Sequence, residues 1–157
     1  MENKEVLNNI AVNHRNGDAI AGDNSAVVTE EGNATGGYSS AVKTYRGDAN
    51  GGDRSVVLTE YGNATVGDFS AVHNGAGIAR GGDGCAVNTI IGNAIGGDGS
   101  TVRTNEGRAI CGNNSIAMGT YVKIGNNSVG VVVNEEGNIV DIIFKNKDGV
   151  ELNIYPK

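Results

Sequence analysis

From Gly17 to Tyr121 the chain is built of seven tandem 15-residue units. Glycine opens each unit (Gly17, Gly32, Gly47, Gly62, Gly77, Gly92, Gly107), alanine holds the third position from Ala19 to Ala109, and glycine the sixth from Gly22 to Gly112. Aspartate stands seventh in five units (Asp23, Asp53, Asp68, Asp83, Asp98); serine stands ninth except at Cys85. Valine fills the eleventh position until Ala117, and threonine the thirteenth in five units. Such a period marks a unit that cannot bury its apolar face alone and must stack on its neighbours. It also reconciles the composition with folding. With 26 glycines in 157 residues and only 4% aromatics, the chain lacks the large side chains of an ordinary core, but small residues held in register pack densely.

Two short strands are expected in each unit. Positions 9 to 13 alternate Ser, variable, Val, variable, Thr, the period-two pattern of a strand with one buried face. Ser, Val and Thr then point inward, and positions 10 and 12 outward. Positions 1 to 5 form the second expected strand, with alanine inward. The Gly-Asp pair at positions 6 and 7 is read as the turn, with Gly at positive φ and Asp bonded to the backbone N–H two residues on. The fold class is therefore all-β: a single-domain parallel β-solenoid, or β-roll, of about seven 15-residue coils.

Three segments follow from this reading: 1–16, an N-terminal cap with a degenerate half-repeat that places Val12 in the valine column; 17–121, the solenoid; and 122–157, a C-terminal cap. After Gly125-Asn-Asn-Ser128 the period breaks. Val131–Val133, Ile139–Phe144 and Val150–Tyr155, separated by Glu135-Glu-Gly-Asn138 and Lys147-Asp-Gly149, read as an antiparallel meander and an oligomerisation surface.

Net charge is −6, and residues 17–121 carry −5 of it through eleven acidic and six basic side chains. The plain reading is solubility of an edge-rich rod; an acidic edge that meets a basic partner is the other. No segment approaches the ~18 apolar residues of a membrane span. The N-terminus lacks the basic-then-apolar pattern of a secretory signal, so a cytoplasmic or virion-associated protein with no membrane partner is expected.

The run Gly112-Asn-Asn-Ser-Ile-Ala-Met-Gly119, followed by Ile124-Gly-Asn-Asn-Ser-Val129, resembles the head repeats of YadA-like trimeric autotransporter adhesins, which carry Gly-x-x-Ser-x-Ala-x-Gly in coils of about fourteen residues. The upstream units resemble a variant in which Ser-x-Val-x-Thr replaces Ser-x-Ala-x-Gly. The resemblance spans the repeat region, from Gly17 to Val129. It implies a left-handed parallel β-roll assembled as a homotrimer, with one face of each roll buried centrally. Similar glycine-rich rolls occur in phage and prophage proteins.

Few residues suggest chemistry. No catalytic constellation is legible, so no enzyme activity and no cofactor are expected. The Asp23, Asp53, Asp68, Asp83 and Asp98 column is read as turn caps rather than calcium ligands, and no metal is expected. Cys85 occupies the serine column and Cys111 position 5, too far apart for a disulfide. The variable outward column at position 12, notably Lys43, Leu58, His73 and Arg103, is the candidate contact surface for another protein. Position 10 also faces outward, yet it stays small or apolar: Ala26, Ala41, Val56, Ala71, Ala86, Thr101 and Ile116. A close-packed neighbour imposes that restriction, so this column is the candidate interface between copies. The functional expectation is a non-enzymatic structural or protein-binding module, phage or prophage related. The competing one is an intracellular anti-defence inhibitor that occludes a host protein, as an acidic DNA mimic in one form; binding of nucleic acid itself is not expected.

Overall fold

The computed structural model describes residues 7–154. The polar lead-in at residues 1–6 and Tyr155 of the expected last strand lie outside the described residues. Within them the chain is all-β and winds as a parallel solenoid of about eight turns. The 15-residue period becomes strand register directly: Ala26 pairs with Ala41, Val27 with Val42 and Thr29 with Thr44. The half-repeat joins the same stack, with Val12 opposite Val27.

Each coil has one long and one short strand. The long strands run from position 10 to position 15, as in Ala26–Glu31, Ala41–Arg46 and Val56–Tyr61. The short ones span two residues, as in Ala34–Thr35 and Ala49–Asn50, rather than the five expected. The glycine at position 1 shortens them: it adopts φ of +127° at Gly32 and +141° at Gly62 and turns a corner. Gly77 and Gly92 keep this positive φ, but there the ladder pairing runs on through the glycine, and the strands extend as Ala71–Arg80 and Ala86–Ile95.

The interior is a thin bilayer of small side chains. Position-3 alanines and position-11 valines, such as Ala34, Val42, Ala64 and Val57, meet in one continuous core. Ser and Thr share that interior and are satisfied there. Ser55 Oγ accepts the Ser40 N–H at 3.1 Å and donates to the Gly37 carbonyl at 3.0 Å, which ties two coils together. Thr44 Oγ1 donates to the Gly32 carbonyl at 3.0 Å, which closes its own coil. Asn74 replaces threonine in one coil. Its Nδ2 donates to Gly62 at 2.9 Å, and its Oδ1 is buried without a partner.

The turn differs from its expected chemistry. Positive φ falls on position 8, at Asn24, Ser39, Arg54, Phe69, Gly84, Gly99 and Asn114, and not on the position-6 glycine. Aspartate does not bond two residues on. Asp53 Oδ1 accepts the N–H of Asp68, and Asp83 Oδ1 that of Asp98, each in the next coil. The position-6 glycine makes room for this bond: a Cβ at Gly67 would sit on the Asp53 carboxylate, and one at Gly82 on that of Asp68. The glycine is therefore required for space, and the aspartate for bonding between coils.

The register does not end at Ser128. Ser128 takes its place in the serine column, its Oγ accepting the Ser115 N–H at 3.0 Å after a 13-residue coil. The strand Ser128–Val133 pairs in parallel with Ile116–Gly119. Two antiparallel strands, Ile139–Lys145 and Glu151–Ile154, then continue the same sheet. Ile143 turns inward and packs on the core beside Val122 and Ile124.

Candidate functional site

The outward face of the long strands is the surface on which this fold arranges side chains most regularly. Parallel pairing stacks each residue on its counterpart one coil later, so position 10 forms a single column through Ala26, Ala41, Val56, Ala71, Ala86, Thr101 and Ile116. All seven face outward; Ala71 is half-buried and the others are exposed. The pairing of Ile116 with Val129, Val129 with Phe144, and Phe144 with Leu152 carries the column into the C-terminal strands. Position 12 runs alongside, through Lys43, Leu58, His73, Asn88 and Arg103 to Met118, Val131, Ile142 and Ile154. With Ala11 paired to Ala26 at the other end, eleven rungs at ~4.8 Å make a face about 50 Å long.

Midway along this face lies a groove of about 440 Å³. Ala71 and Ala86 form its low floor, Val56 and Leu58 stand on one side, and Thr101 and Arg103 on the other. His73 and Asn88 border it, with Asn88 Nδ2 3.0 Å from His73 Nδ1. When the amide donates this bond, the ring proton is on Nε2. Lys43, Leu58, His73 and Arg103 are all exposed, and positions 10 and 12 contain no carboxylate.

Glu30 and Glu60 stand exposed on the same strands at position 14, and the aspartates lie elsewhere. The Asp column runs along the turn edge, where Asp53, Asp68, Asp83 and Asp98 occupy four successive coils. A second bonding ladder at position 2 was not evident from the sequence: Asp18 Oδ1 accepts the Asn33 N–H, Asn33 that of Asp48, and Asp48 that of Asn63, at 2.8 to 2.9 Å. Its signal was the Asp/Asn restriction at position 2, which is broken only at Ile78 and Arg108. A third acidic feature is a cleft of about 330 Å³ between the coil containing Glu106 and the turn at Glu135-Glu136, with Arg103 on its rim.

Nucleophilic chemistry has little support. Cys85 and Cys111 are both buried and unpaired. Burial pushes each thiol above its ordinary pKa, so at neutral pH both stay protonated. Among the described residues no group of three or more His, Cys, Asp or Glu side chains is placed to hold a metal ion. No helix of the described residues is long and apolar enough to cross a membrane.

Fold and surface together define a parallel β-solenoid with one strand face whose columns at positions 10 and 12 hold no carboxylate, and with an acidic turn edge. No family model, curated protein or solved structure matches the chain.

Proposed function

We propose that this chain is a non-enzymatic structural and protein-binding module, a rigid β-roll that associates through the outward face of its long strands. The observation that carries this reading is the unbroken small or apolar column at position 10. Seven outward positions in succession hold only Ala, Val, Thr or Ile, although neighbouring position 12 admits Lys, His and Arg. Nothing inside the roll requires this, because these side chains point away from the core. Close approach of another backbone does. On the resemblance to YadA-like heads, the occupant is a second and third copy of the chain, and the setting is a phage or prophage structure.

The test is a pair of charges on the groove floor. Ala71→Arg with Ala86→Arg leaves the core columns intact. It is expected to lower the mass measured by light scattering threefold while the circular dichroism spectrum is retained. A mass unchanged from the parent chain would sink the reading.

A second reading is favoured by the four successive carboxylates Asp53, Asp68, Asp83 and Asp98. Such an edge suits occlusion of a basic site on a host protein. Binding of that kind collapses on raising ionic strength from about 50 to about 300 mM, whereas binding through the apolar face persists.

A further inference from the structure

The last described strand, Glu151–Ile154, pairs with Ile139–Lys145 and with no other described strand, so among the described residues its far edge is open. The backbone groups on that edge can be assigned. Asn146 N–H donates to the Val150 carbonyl at 3.0 Å, which makes Asn146 and Val150 a hydrogen-bonded pair. In an antiparallel ladder such pairs alternate with non-bonded ones. Leu152 and Ile154 therefore bond to Phe144 and Ile142, while the N–H and C=O groups of Glu151 and Asn153 point out of the edge. Of the devices that blunt such an edge, this strand has short length and one charged side chain, Glu151, but no bulge, lysine or proline.

We propose that this edge pairs with the same edge of a second copy, antiparallel across a two-fold axis at Leu152. The self-complementarity of the strand supports a second copy as the occupant. In the register that engages the outward groups of both Glu151 and Asn153, each Glu151 lies opposite the other copy's Asn153. A carboxylate thus meets an amide that can donate to it, and no like charges face each other. On the other side of the strand, Leu152 meets Leu152, and Val150 meets Ile154. Val150, Leu152 and Ile154 are 64%, 63% and 47% exposed in the single chain, and all become covered by apolar side chains. The contact joins two rolls end to end and extends the position-10 face across the junction. It uses no residue of the groove and stands or falls separately from the packing through that face.

Asn153→Pro tests the pairing. The Asn153 N–H points outward, so proline there removes an edge donor without breaking a bond to Ile139–Lys145. Light scattering on the full chain is expected to show that this variant halves the mass of the parent, which is an even multiple of 16.0 kDa. Ala71→Arg with Ala86→Arg is expected to leave the end-to-end dimer, at twice the chain mass of 16.0 kDa. An unchanged mass in Asn153→Pro overturns the pairing, as does an odd multiple in the parent. Should the proline variant fail to fold, amide exchange in the parent decides. Glu151 and Asn153 are expected to gain protection on raising protein from micromolar to millimolar concentration, and concentration-independent exchange would refute the contact.

Discussion

Asp68 Oδ1 accepts the backbone N–H of Asp83 at 2.8 Å, and the two residues are neighbours only because the chain has completed one 15-residue coil between them. The same bond recurs at Asp53–Asp68, Asp83–Asp98, Asp98–Asn113 and Asn113–Asn126. Stacking therefore depends on side-chain acceptors as well as strand ladders, and the acceptor need not be charged.

Asp68→Asn keeps the acceptor and removes one charge from a column of like charges, so it is expected to match or exceed the parent in stability, with a gain that shrinks as salt is added. Asp68→Ala leaves the Asp83 N–H to water and is expected to cost about 1 kcal/mol. Urea unfolding at two ionic strengths separates them; equal losses in both variants would contradict the acceptor role.

Asn74, like Thr44 and Thr104 in the same column, donates to the position-1 carbonyl of its own coil, but it also leaves a buried oxygen without a partner. Asn74→Thr is expected to stabilise the chain by about 1 kcal/mol, through loss of an unsatisfied polar atom. A lower melting temperature in this variant would show that the asparagine is held by something outside the coil.

The glycines at positions 1 and 8 have different roles. Gly62 sits at φ +141°, and a Cβ there would meet the Gly47 carbonyl oxygen of the preceding coil. Gly62→Ala is therefore expected to cost at least about 3 kcal/mol. Gly99, at φ +68°, would bring a Cβ no nearer than 3.9 Å to its surroundings, and Asn24 and Asn114 already adopt this conformation. Gly99→Asn is expected to change stability by no more than ~0.5 kcal/mol. Comparable losses in thermal melts of the two variants would overturn this distinction.

Burial holds the Cys85 thiol above its ordinary pKa. A thiol harder to ionise in the fold than in the unfolded chain contributes stability that is fully present below the unfolded pKa, about 8.5, and lost as pH rises past it. Cys85→Ser restores the serine column, in which Ser100 Oγ bonds to the Gly82 carbonyl at 3.2 Å. Between pH 8 and 10 its urea midpoint is expected to fall less steeply than that of the parent. Parallel curves would exclude the thiol as a source of the pH dependence.

Much of this architecture is legible in the sequence because stacking turns period into register. The inward Ala, Val, Ser and Thr columns, and the outward parity of positions 10 and 12, follow from the alternation within each unit. The turn was less legible. Left-handed conformations at Ser39, Arg54 and Phe69 leave no compositional mark, and a lone aspartate in a turn favours a local bond until its counterpart in the next coil is placed beside it. The continuation of the outward face was obscured when the spacing shortened after Ser115 and the Asp marker was lost. Even so, Val129-Gly-Val131 and Leu152-Asn-Ile154 keep the parity of Ile116-Ala-Met118. The apolar column is visible from sequence, but the occupant we propose for it is not, because a small side chain carries no mark of what would pack on it.

The most direct test of association through the strand face is the mass of the full chain in solution, measured by light scattering from micromolar to millimolar concentration. A trimer predicts three times the chain mass of 16.0 kDa, or a multiple of that where the end strands also pair. A mass of 16.0 kDa at every concentration would contradict it.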